Sequence, residues 1–167
     1  LGERGNTVKI ALLALAPILA ALVFWAGLML VLGTPYPLMV VSGSSMEPTL
    51  EDGDLVVVKG IRIEDIKVGD IVAFYEPRTH AKIITHRVIR IVKTQSGKVL
   101  LETKGDNNPE SDYERWGWLV SEDDLIGKVI YRLPGLGRVV RFMRTPVGVL
   151  LIAMFYGLLL YELFKRP

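Results

Sequence analysis

At 167 residues the chain has room for one modest domain plus membrane segments, and its 50% hydrophobic content and mean hydropathy of +0.36 are high for a soluble domain. A net charge of +2 with scattered Lys and Arg, and no basic-aromatic stripe, argues against nucleic acid as a partner. The chain has no cysteine, which excludes disulfides, thiolate catalysis and Cys-based zinc sites, and its 2 histidines without an HExxH pattern make no His-rich metal site.

In chain order, Ile10 to Leu32 is an apolar run without a charge. As a helix it would span about 34 Å, enough to cross a bilayer. Pro17 is tolerable near the start of such a helix. The run is too long for the apolar core of a cleaved signal peptide. The expectation is a retained transmembrane anchor over 10–33, preceded by a cytoplasmic tail over 1–9; a buried core helix fits that length poorly.

Residues 34–135 read as a β-rich domain. Shortly beyond the anchor comes Val41-Ser42-Gly43-Ser44-Ser45-Met46-Glu47-Pro48-Thr49-Leu50. Gly43 allows close backbone approach, and Pro48 restricts Glu47. A serine on such a turn can be an exposed nucleophile facing backbone N–H groups, although local chemistry alone favours a polar linker. The runs 54–59 and 70–75 are short strands rich in branched and aromatic residues, each opened by a Gly-Asp turn. In 82–93, Ile84, His86 and Val88 alternate onto one face, with Arg90 as a further candidate. Ser96-Gly97 turns the chain into a strand over 98–103, 106–111 is a loop, and 124–133 is a last strand. Short strands separated by turn signals predict a small barrel or sandwich of mainly antiparallel sheet. Asn107 and Asn108 stand out in a chain whose other Asn and Gln are Asn6 and Gln95.

Arg138, Arg141 and Arg144 share a spacing of three, with Val139, Val140, Phe142 and Met143 on other faces. That pattern predicts an amphipathic interfacial segment over 136–144. Thr145 to Tyr161 is a second uncharged run at the lower length limit of a span, followed by a tail over 162–167. Two crossings would leave the three arginines outside, against the positive-inside tendency. A helix lying on the membrane is therefore the alternative to a second transmembrane helix.

Four segments together resemble the ordered boxes of type I signal peptidases. Ser44-Ser45-Met46-Glu47-Pro48-Thr49-Leu50 resembles the nucleophile box, in which the serine before Met-x-Pro attacks; that residue is Ser45. Gly69-Asp70-Ile71-Val72-Ala73-Phe74 resembles the structural Gly-Asp strand. Thr85-His86-Arg87-Val88 resembles the box of the general base, and Lys104-Gly105-Asp106-Asn107-Asn108 the Gly-Asp-Asn box. The histidine at position 86, where bacterial members carry lysine, is similar to the archaeal and endoplasmic-reticulum subfamily. A neutral imidazole can accept a serine proton near pH 7 without the strong pKa depression a lysine needs. His80 matches no box and is expected to be solvated.

The resemblance implies a membrane-bound serine endopeptidase that cuts signal peptides bound in an extended conformation. The catalytic domain would lie on the extracytoplasmic side of the cell or endoplasmic-reticulum membrane, with the lipid bilayer as partner and no cofactor or metal. It implies Ser45 as nucleophile, His86 as base and an aspartate as orienter, Asp112 preferred and Asp106 supporting, with their exchange left open. Gly43, Ser44 and Met46 are the candidate oxyanion and substrate-binding positions. Gly43 stands where some bacterial members place a side-chain oxyanion donor. No accessory subunit is assigned. Two other readings are a self-cleaving serine–lysine protease using Lys59 or Lys82, and a membrane-tethered β module that binds without catalysis.

Overall fold

The computed structural model describes the backbone of residues 2–165 and the side chains of 14–162 and Lys165; Leu1, Arg166 and Pro167, at the ends of the two expected tails, lie outside the described residues. The chain divides into two compact units, one from the terminal segments up to Val31 and from Arg141, the other Leu32–Val140.

In the terminal unit, α1 (Gly2–Leu32) is one continuous helix through Pro17. It starts well before Ile10, so most of the expected 1–9 tail is helical. Its Ala14–Leu32 stretch is long and apolar enough to cross a membrane. Helix α3 (Leu136–Met143) begins in the second unit, which reaches Val140, and stops before α4 (Pro146–Lys165) begins after Thr145. Thr145 Oγ1 accepts the Gly148 N–H at 3.1 Å, an N-cap with proline at the next position. Tyr156 in α4 donates its hydroxyl to the Ala14 carbonyl of α1.

The second unit holds the strands β1 (Leu38–Val40), β2 (Leu55–Lys59), β3 (Ile71–Tyr75), β4 (Ile83–Lys93), β5 (Val99–Lys104) and β6 (Leu125–Leu133), with a 3-10 turn at Ile63–Asp65 and a short α2 (Asp112–Trp116). They form a six-stranded sheet in the order β1-β2-β6-β3-β4-β5, every pair antiparallel. Four strands fall within runs read from the sequence, and β5 runs one residue past its expected 98–103, to Lys104. β1 and α2 match no such run, being too short to carry a period.

Central β3 reads Ile-Val-Ala-Phe-Tyr without alternation because both its faces are covered. Val72 and Phe74 pack with Val88, Leu101 and Val120. Ala73 packs with Met46, Val56, Val58 and Ile126. Three bulges interrupt the ladders. At one, Val88 pairs with Thr103 and Arg90 with Glu102, leaving Ile89 as an extra residue. The expected alternation therefore ends at Val88, and Arg90 pairs with Glu102 instead of continuing the His86 face.

The loop between β1 and β2, which carries Ser45, is closed at its base. Val41 N–H donates to the Asp54 carbonyl at 2.9 Å, and Gly53 N–H to the Val41 carbonyl at 3.0 Å. The Asp54 side chain is buried there. It accepts Glu51 N–H at 2.8 Å and Gly135 N–H at 2.9 Å and pairs with Arg132 at 2.5 Å. Burial pushes its carboxyl up, but those backbone bonds and Arg132 outweigh burial and hold it below the ordinary carboxylate range. Asp54→Ala leaves two N–H donors without their acceptor, and should lower the melting temperature by about 10 °C. Thermal unfolding of the purified protein followed by circular dichroism checks this.

Candidate active site

Strand alternation sends His86 of β4 inward beside Val88, where it is 7% exposed and lies edge-on to Phe74. A buried imidazole needs partners on both nitrogens. Nδ1 lies 2.7 Å from Asp112 Oδ2 and Nε2 lies 3.2 Å from Ser45 Oγ. Asp112, the first residue of α2, is 3% exposed and also accepts the Thr103 hydroxyl at 2.6 Å. Ser111 caps that helix in a capping box with Glu114.

Ser45 sits half-buried on a turn pinned from outside the loop. Asn107 donates its backbone N–H to the Ser45 carbonyl at 2.9 Å and its side-chain amide to the Ser44 carbonyl at 3.1 Å. Gly105 lets this approach happen, since a Cβ there would stand 2.5 Å from the Ser45 carbonyl. Met46 anchors the turn in the apolar core. Gly43 has φ +92° and donates its N–H to Asp52 at 3.1 Å, and Ser44 is exposed.

Asp106 stands apart from His86's ring nitrogens. Its two oxygens take a fork from Arg87, Nε at 2.8 Å and Nη2 at 2.6 Å. Arg87 Nη1 reaches the Gly69 carbonyl at 2.8 Å and Nη2 reaches Thr49 at 3.3 Å, which ties the nucleophile loop to β4. The Arg87 hydrogen bonds, against a smaller opposing effect of burial, hold the Asp106 carboxyl below its ordinary range.

His80 is not simply solvated. Its Nε2 lies 2.9 Å from Asp124, and its ring stacks on Tyr75 with centroids 5.5 Å apart. Among the candidate lysines, Lys82 lines the cleft around Ser45. The Ser45 hydroxyl, however, has His86 as its hydrogen-bond partner.

Ser45 and His86 lie in a cleft of about 870 Å³ lined by Met39, Val41, Ile84, Trp116 and Trp118. β1 is an edge strand, and β5 pairs with β4 only from Arg87 onward, so Ile83–His86 is unpaired on that side among the described residues. The cleft thus has free backbone edges. Trp116 and Trp118 stack with centroids 5.7 Å apart, with Arg115 over the first and Arg78 over the second. This wall was not singled out in the sequence; the signal was Trp116-Gly117-Trp118, where left-handed Gly117 (φ +72°) turns the second ring back beside the first. Chemically, the arrangement can remove a proton from a serine hydroxyl and hold the resulting imidazolium against a buried carboxylate. Among the described residues there is no cluster able to hold a metal ion.

The family model described as signal peptidase, peptidase S26, matches residues 9–94. The chain is 38% identical over 124 residues to the signal peptidase complex catalytic subunit SEC11 of Eremothecium gossypii, covering 72% of this chain and 73% of that protein. To the SEC11 subunit of Zygosaccharomyces rouxii it is 39% identical over 124 residues, with 72% and 73% covered. To subunit SEC11C of Homo sapiens it is 35% identical over 128 residues, covering 74% of this chain and 66% of the human protein.

Because the folded Asp106 carboxyl titrates lower than an unfolded one, its contribution to stability is complete above the ordinary carboxylate range and disappears as pH falls through the lowered folded value. Asp106→Asn should therefore lower the melting temperature by about 5 °C at neutral pH, with the difference closing in acid. Melting of both proteins across a pH series measures it.

Proposed function

This chain belongs to the signal peptidase family, peptidase S26, and is a serine-type signal peptidase; on that footing we propose that Ser45 is its nucleophile, His86 its general base and Asp112 the carboxylate that orients the base. The carrying observation is the continuous contact from Ser45 Oγ through His86 to Asp112, 3.2 Å and then 2.7 Å, opening on the cleft. Asp106 supports the site through Arg87 instead.

A signal peptide of a preprotein lies extended in the cleft and makes main-chain hydrogen bonds to the free edges of β1 and of Ile83–Thr85. Small side chains stand one and three residues before the cut, as the family resemblance implies. Ser45 Oγ attacks the scissile carbonyl while His86 Nε2 takes its proton. Asp112 holds the imidazole by Nδ1 and stabilises the imidazolium. The oxyanion faces the Ser45 backbone N–H at the Gly43–Met46 turn, which lacks a side-chain donor at Gly43. His86 then protonates the leaving amine, and water activated by the same nitrogen hydrolyses the acyl-enzyme.

The accompanying arrangement has a cytoplasmic tail (1–9), an anchor in the bilayer (10–33) and an extracytoplasmic protease domain (34–135). An interfacial segment (136–144), a second crossing (145–161) and a cytoplasmic tail (162–167) complete it. The membrane is that of the cell or the endoplasmic reticulum. The break between α3 and α4 supports a separate interfacial segment, and the apolar clusters on both faces of the sheet support a small barrel or sandwich.

Ser45→Ala and His86→Ala should each reduce cleavage of a preprotein roughly a thousandfold or more, while His80→Ala stays close to the parent. Asp112→Asn should lose most activity at an unchanged melting temperature, because the amide can present an N–H to His86 and trap the wrong tautomer. Sequencing the new N-terminus of a cleaved preprotein provides the assay. Normal cleavage by Ser45→Ala would overturn the assignment, and dependence on Lys59 or Lys82 with His86 dispensable would favour the serine–lysine alternative. For topology, single cysteines at Asn6, Ser96 and Lys165 can be probed in sealed cells with a membrane-impermeant thiol reagent. Labelling at 96 alone is expected; labelling at both 96 and 165 means that the C-terminal helix does not cross.

A further inference from the structure

One oxygen of Asp112, Oδ2, carries both the 2.7 Å contact with His86 Nδ1 and the 2.6 Å bond from the Thr103 hydroxyl. A carboxylate on a short helix can turn about its side-chain bonds and present either oxygen in many directions. A donor fixed on a strand removes that freedom. Thr103 is such a donor. It is 1% exposed and pairs with Val88 across the β4–β5 ladder, so it shares the face that Val88 shares with His86. Its hydroxyl donates a hydrogen bond to the carboxylate and leaves the imidazole free to act as base.

The preceding residue acts on the other side of the same junction. Alternation turns Glu102 to the opposite face of β5. There its Oε1 accepts the Ser111 hydroxyl at 2.7 Å, and Arg90 Nε holds its Oε2 at 2.7 Å. Ser111 in turn caps α2, of which Asp112 is the first residue. Two neighbours on an edge strand thus hold two neighbours at the start of the helix, one by its cap and one by its carboxylate. The capping box alone would satisfy the helix end. It would not require a buried glutamate beneath Ser111, a residue type that is costly to bury without a partner.

We infer that Thr103 and Glu102 are positioning residues for the catalytic acid: Thr103 sets the direction of the Asp112 carboxylate, and Glu102, neutralised by Arg90, sets the Ser111–Asp112 backbone on which it stands. The inference rests on Asp112 being the triad acid. Neither residue lines the cleft, so both act on the chemical steps that use His86 and not on substrate binding.

The test is steady-state cleavage of a preprotein, together with the acylation rate of Ser45 by a fluorophosphonate probe, in the full-length protein. Thr103→Val keeps the shape and removes the hydroxyl. It should lower kcat and the acylation rate about 10- to 100-fold with KM unchanged, and Thr103→Ser should restore most of both. Glu102→Gln keeps an oxygen acceptor for Ser111 and should retain more kcat than Glu102→Ala. Asp112→Asn is measured beside them. If it is inactive while Thr103→Val keeps the parental kcat, or while the serine and valine variants lose activity equally, the positioning role is overturned and the triad acid stands. If Asp112→Asn is fully active, the acid assignment itself falls and takes this inference with it. Should Thr103→Val not fold, the Glu102 pair decides by the same criterion: equal kcat for Gln and Ala overturns the role, and loss confined to Ala supports it.

Discussion

The bond between His86 Nδ1 and Asp112, 2.7 Å long and almost shut off from solvent, is the contact around which the domain is arranged. A strand histidine turned into a core must find a partner for each ring nitrogen or be expelled from it. Here the partners come from chain segments far apart in sequence, the β1–β2 loop on one side and the β5–α2 junction on the other. The loop is closed at its base by buried Asp54, and the junction is held by the capping box at Ser111. The antiparallel order of the sheet brings them to one strand, because β4 borders β5 directly and the loop is held to β4 through Arg87.

Alternation along β4 separates two acidic residues that lie close together in sequence. His86 faces inward and meets Asp112; Arg87, its neighbour, faces the other way and takes Asp106 in a fork. A slip of one residue in this strand would exchange the two faces and dismantle both pairs. The same arginine reaches Thr49 and the Gly69 carbonyl, so the charged pair also steadies the loop that carries Ser45. It supplies rigidity without entering the buried chain of Ser45, His86 and Asp112.

The cleft shows how a small sheet leaves open space beside its own edges. Among the described residues, β5 leaves the first residues of β4 unpaired and β1 has β2 as its single neighbour, so two strand edges border the same space. Exposed edges invite aggregation unless something blunts them. Here one edge is short, and the cleft is walled by the stacked Trp116 and Trp118 with their arginines.

Much of this was legible in the linear order of residues. An uncharged run long enough to cross a bilayer, strand runs opened by Gly-Asp turns, and four boxes in a recurring order depend on composition and local spacing, which a chain displays before it folds. The choice of Asp112 over Asp106 as the neighbour of His86 was a preference drawn from the family resemblance, and residue spacing did not decide it. It depends on a helix cap at Ser111 and on which face of β4 each side chain leaves, and residues 106 and 112 carry the same carboxylate. Nor did spacing announce β1, whose three residues hold no period, or the bulge at Ile89 that takes Arg90 to Glu102. His80 looked like a solvated loop residue until the fold brought Asp124 and Tyr75 against it. Local chemistry is written residue by residue, whereas the partners of a buried polar group are chosen by which distant strands the sheet makes neighbours, and that choice exists only once the sheet has formed.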